Sequence, residues 1–112
     1  MDEQIELWMN RVRELSTVIE KAEYELVASE ADVKKINATL KMTALSEGFK
    51  TNSAQETYAE NQDELYNARL KVGVAKGFLS SVKLQIRALE IGFEEWRTKM
   101  VNEREERKRY GA

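Results

Sequence analysis

The sequence predicts an all-α protein, a long antiparallel helical hairpin of the coiled-coil kind, and three observations carry that prediction. Two stretches each repeat apolar residues at alternating steps of three and four, the a/d rule of coiled coils. A short polar segment containing Gly48 separates them. The 112 residues include no proline, and the 34% that are charged are mixed in sign, which suits long solvated helices.

Helix 1 is expected over about residues 3–46, with a seam of Ile5, Trp8, Val12, Leu15, Ile19, Ala22, Leu26, Ser29, Val33, Ile36, Leu40 and Thr43. A turn is expected over about 47–53, where the repeat fails. Gly48 is placed there to take the left-handed conformation that ends a helix, and Ser53 followed by Glu56 reads as a capping box. Helix 2 is expected over about 54–108, with a seam of Tyr58, Asn61, Leu65, Ala68, Val72, Ala75, Leu79, Val82, Ile86, Leu89, Phe93, Trp96 and Met100, in which only Asn61 is polar. At this length the chain, 1–112, reads as a single domain.

Folding the chain back at the turn pairs residues whose numbers sum to about 101. Ile5 then meets Trp96, Trp8 meets Phe93, Val12 meets Leu89, Leu15 meets Ile86 and Ile19 meets Val82. Nearer the turn each small residue faces a larger one, Ala22 with Leu79, Leu26 with Ala75 and Val33 with Ala68, so the axes can stay roughly parallel. The flanking charges agree with this register, since Glu23 falls opposite Lys76 and Glu30 opposite Arg69.

Composition excludes several functions. There is no histidine, the commonest general base and metal ligand, and no cysteine, so neither a thiolate metal site nor a disulfide framework exists. The 20 carboxylates all lie off both seams, where solvated charge is their ordinary role. Gly73 to Gly77 lacks the phosphate-loop spacing and falls within a helix, where backbone N–H groups are already bonded. The chain reads as non-enzymatic, with no cofactor, metal or small-molecule substrate. No segment approaches the roughly 18 uninterrupted apolar residues of a membrane span, and the N-terminal stretch is acidic rather than signal-like, which predicts a soluble cytoplasmic protein.

Two helices of about 45 residues would form a rod about 68 Å long without a thick core, so association is expected to supplement its stability. Tyr66, Leu70, Gly73, Val74, Gly77, Leu84, Ala88 and Ile91 supply a second apolar stripe on helix 2, opposite the hairpin seam. Each glycine inside a helix costs roughly 1 kcal/mol relative to alanine, and the four-residue spacing of Gly73 and Gly77 would let another backbone approach closely. Helix 1 offers Tyr24, Val27, Ala28, Ala31, Ala38 and Leu45. A homo-oligomer is expected, as a helical bundle or a ring.

Charge is uneven although the net value is −2. Residues 1–32 hold nine acidic against three basic residues, whereas residues 65–93 hold five basic residues against Glu90 alone. Past residue 100 helix 1 has no residues left to pair, and the chain ends in Arg104, Arg107, Lys108, Arg109 and Tyr110, where Glu103 with Arg107 and Glu105 with Arg109 are spaced to pair. These basic residues, with Arg87 and Arg97, are the candidates for nucleic-acid contact, and Tyr110 for stacking on a base. The same segment also reads as a charged, solvated helix end.

The stretch Asp63-Glu-Leu-Tyr-Asn-Ala-Arg-Leu-Lys-Val-Gly-Val-Ala-Lys-Gly77 leads into Ile91-Gly-Phe-Glu-Glu-Trp-Arg97 and a basic end, in a short chain free of histidine and cysteine. In this layout, over about residues 15–109, the chain resembles the UvsY-like recombination mediators of bacteriophages. The resemblance implies an oligomeric helical protein, phage-encoded and placed in the host cytoplasm, that binds single-stranded DNA and helps a protein partner, a recombinase, to load. The slightly acidic net charge departs from that role. Two other classes stay open. One is a protein-only adaptor or inhibitor of a host defence complex, acting through the acidic stretch from Glu14 to Asp32, and the other is a structural or scaffolding coiled coil.

Overall fold

The computed structural model describes residues 3–110, which fold into three helices, α1 (Glu3–Ser46), α2 (Asn52–Glu60) and α3 (Asp63–Arg109), with no strand among them. Packing divides these residues into two units. One is Glu20–Ser80, and the other joins the residues up to Ile19 with those from Ser81 onward. In both, the heptad seams pack antiparallel as an all-α hairpin. Every seam position is buried or half-buried except Asn61.

Within Glu20–Ser80, the turn is built from local hydrogen bonds. Gly48 takes φ +104°, and the N–H of Phe49 donates to Ala44 O (3.0 Å) while that of Gly48 donates to Leu45 O (3.2 Å). This is the Schellman pattern, which satisfies carbonyls that a helix end leaves without partners. Helix α2 starts two residues earlier than the expected capping box: Thr51, not Ser53, is the N-cap, with extended backbone and its Oγ1 accepting from the Ala54 N–H at 3.1 Å. Both types cap well. With Thr51 in that place, Ser53 lies inside the helix and its carbonyl accepts from the Thr57 hydroxyl at 3.0 Å. Gln55 Nε2 reaches back to Phe49 O (3.0 Å), and the Phe49 and Tyr58 rings pack with centroids 5.4 Å apart. Burial and the nearby Glu47 carboxylate raise the Tyr58 phenol above its ordinary pKa.

The single helix expected over 54–108 is divided at Asn61 and Gln62. The reason is the polar seam position itself, because a continuous helix would turn the Asn61 amide into an apolar layer, an expensive burial without a partner. Instead Asn61 faces solvent as the C-cap of α2, and fully buried Ala59 and Leu65 pack against Leu40, with Val33 and Ile36 beside them. The break also changes the charge pairing. Both terminal nitrogens of the Arg69 guanidinium donate to the Glu60 carboxylate, Nη1 to Oε2 and Nη2 to Oε1 (2.7 Å), so Arg69 spans the α2–α3 junction rather than meeting Glu30. Among the described residues Glu23 and Lys76 form no ion pair either. The hydrogen bond from Arg69 is the main cause that holds the Glu60 carboxyl below its ordinary range.

In the other unit, Leu15 and Val82 are the buried seam positions among the described residues. Trp8 then meets Phe93 edge-on at 5.8 Å, the pairing that the register requires, and Trp96 at the same distance. Phe93 and Trp96 lie one turn apart and stack at 6.1 Å. Such aromatic contacts add about 0.5–1.5 kcal/mol each beyond the area they bury.

Candidate functional site

The two sets of candidate residues are placed by α3. Its last turn carries Arg107, Lys108 and Arg109, where cations complement the negative end of the helix dipole. By the pairing register the last three turns of α3 lie beyond the level of Glu3, and among the described residues none of α1 faces Arg107, Lys108 and Arg109. Arg97, Arg104 and Arg107 come together: with Trp96, Met100, Val101 and Glu103 they line one open groove of about 500 Å³. Arg97 and Arg104 are two turns apart, about 10.5 Å along the axis, and Arg107 follows about 4.5 Å further on. At about 100° per residue, Lys108 falls on the same side as Arg97 and Arg104, whereas Glu95 and Glu106 fall on the opposite one.

None of Arg97, Arg104, Arg107, Lys108 and Arg109 forms an ion pair among the described residues, so the pairs spaced at Glu103 with Arg107 and Glu105 with Arg109 are not made. Arg87 is set apart, in a groove walled by Glu90, Glu94 and Glu95, a negative surrounding that opposes an approaching phosphate. Tyr110 follows the last turn of α3, its N–H bonded to Glu106 O at 3.0 Å, and its ring is exposed outside the arginine groove. Trp96 lies inside that groove instead. The seam pattern had assigned it only to packing, and its neighbours at i+1, i+8 and i+11, all arginine, are the signal that marks it as a candidate for base stacking.

The self-association candidates are exposed. In Glu20–Ser80, Tyr66, Leu70 and Val74 stand in solvent, and a Cβ added at Gly73 or Gly77 would meet nothing within 4 Å. In the other unit Leu84 and Ile91 are likewise exposed. A second feature of Glu20–Ser80 escaped the sequence pattern. Beside the seam runs a groove of about 600 Å³ with Glu25, Ala28 and Asp32 on its α1 wall and Leu70, Lys71, Val74 and Phe78 on its α3 wall.

Among the described residues no helix is long and apolar enough to cross a membrane. No family model, curated protein or solved structure matches the chain.

Proposed function

We propose that this chain is a non-enzymatic helical binding protein, a recombination accessory of the mediator kind, that contacts single-stranded DNA through Arg97, Arg104 and Arg107 and acts together with a protein partner. The observation that carries the reading is the groove holding those three unpaired arginines beside Trp96. Nonspecific recognition of a single strand needs two elements, cations that track the backbone and an aromatic face that any base can stack on. Trp96 is held by Trp8 and Phe93, so little side-chain freedom remains to be lost when a base arrives.

Binding of a mixed-sequence oligonucleotide, followed by anisotropy across a salt series, tests the reading. The affinity should fall steeply with salt, and joint replacement of Arg97, Arg104 and Arg107 by glutamine should flatten the slope by up to roughly 0.7 per lost phosphate contact. Arg87→Gln should leave it unchanged. Trp8 and Trp96 are the only tryptophans. In Trp8→Phe the remaining indole should therefore be quenched by the oligonucleotide and not by an abasic strand, and Trp96→Leu should weaken binding by about 1–3 kcal/mol.

Absence of binding at low salt refutes the proposal. The protein-adaptor reading would then take its place, since Glu20, Glu23, Glu25, Glu30 and Asp32 are exposed and form no ion pair among the described residues.

A further inference from the structure

We infer that the groove between α1 and α3 within Glu20–Ser80 is the docking surface for a second copy of this chain, with the two-fold axis parallel to the helices. The inference stands on a different surface from the arginine groove and does not depend on the nucleic-acid reading.

The two walls of the groove differ in size and charge. The α1 wall is small and acidic, with Ala28 and Ser29 between Glu25 and Asp32, and Ala22 one turn before Glu25. The α3 wall is large and carries the cation, with Leu70, Val74 and Phe78 beside Lys71. Val74 is 74% exposed and Phe78 49%, so these are apolar side chains left in water rather than edges of the core. Burying them is favourable at roughly 25 cal/mol per Å².

A second copy supplies the complement of each wall only if its α1 lies over the first copy's α3. Closed pairs of identical chains are commonly two-fold, and two axes could bring this groove face to face with itself. An axis perpendicular to the helices would set α1 on α1, bringing Glu25 of one copy near Asp32 of the other and packing small residues on small ones. An axis parallel to the helices sets α1 on α3 and keeps every residue at its own level. In the pairing register Val74 is level with residue 27 of α1, Phe78 with residue 23 and Leu70 with residue 31. The large wall therefore falls over Ala22 and Ala28 of the second copy. Lys71 is level with residue 30, about 3 Å along the axis from Asp32. Both the size and the charge complementarity select the parallel axis, and each contact occurs twice. The result is a four-helix bundle over this part of the chain.

Sedimentation equilibrium on the full chain tests the arrangement through a charge swap. Wild-type protein at tens of micromolar should be a two-copy species. Lys71→Glu places two like-charged pairs in the interface, as does Asp32→Lys, and each should weaken the dimer at least roughly tenfold. An equimolar mixture of the two variants should recover it. In the mixed dimer one of the two pairs joins the introduced glutamate to the introduced lysine, with the signs exchanged, and the other is the original Lys71 with Asp32. An ion pair within one copy could not be restored by mixing. All three positions, with Val74→Arg as an independent disruption of the large wall, are exposed, and unchanged helicity by circular dichroism checks that the fold is kept. A wild-type chain that stays monomeric overturns the inference. So does a dimer indifferent to Lys71→Glu and Val74→Arg, or a mixture no tighter than its components.

Discussion

Replacing Leu65 with alanine should be among the most damaging single changes in this chain. Leu65 is 0% exposed and packs with Leu40 and Ala59, flanked by Val33 and Ile36. The substitution removes three carbons from water-free surroundings, about 2.4 kcal/mol at roughly 0.8 kcal/mol for each. Ala59 has no side-chain length with which to fill the space, so most of the volume should persist as a cavity and bring the loss to about 3–4 kcal/mol. Against a total stability of roughly 5–15 kcal/mol for a domain of this size, that is a large fraction. Urea unfolding followed by circular dichroism would measure it. Repeating the series at tenfold lower protein concentration separates any contribution from association. Leu84→Ala is the control, because Leu84 is 70% exposed and its truncation should change stability by less than about 0.5 kcal/mol. A loss below about 1 kcal/mol for Leu65→Ala, or equal losses for the two leucines, would refute this account of where the core sits.

Three further substitutions test the turn, the interior of α3 and the α2–α3 junction. Gly48→Ala meets no atom within 4 Å, so its effect is backbone strain at φ +104° alone, expected at roughly 1–2 kcal/mol of lost stability. Gly73→Ala, in equally open space within a helix, should instead gain up to roughly 1 kcal/mol, and opposite shifts of the urea midpoint check the pair. The Glu60 carboxyl is held below its ordinary range by Arg69, so its contribution is complete above the unfolded carboxylate pKa of about 4.3 and is lost as pH falls through the lowered value. Glu60→Gln should accordingly flatten the fall in stability on acidification below that range, and an unchanged pH profile of thermal unfolding would contradict it.

The seams were legible because heptad spacing states which side of a helix is buried, and the structure buries those positions to the half-buried level or beyond, apart from Asn61. Asn61 was also the visible sign of what the pattern could not supply. Between the turn and that residue the heptad no longer states what is buried, and the fully buried Ala44 and Ala59 lie off both seams. The ion pair of Arg69 with Glu60 was hidden for the same reason, since nine residues would separate the two by about 13.5 Å along one unbroken helix. At the candidate site the arginines were legible as charge, but their division into a shared groove and an isolated Arg87 depends on which carboxylates the helix places beside them. Trp96 was read as packing because its seam position accounted for it fully.

The unit built around Trp8 is assembled from the two ends of the chain, and this bears on how it comes into being during synthesis. Trp8, Val12 and Leu15 leave the ribosome long before Phe93, Leu89 and Ile86 exist to cover them. Joining the ends across an unfolded stretch spanning residues 20–80 would cost about 3–4 kcal/mol in loop closure, whereas a hairpin already formed at Gly48 removes most of that distance. The nascent chain therefore carries its most aromatic surface uncovered until the last helix emerges, and a chain arrested before Phe93 would display that surface to other hydrophobic chains.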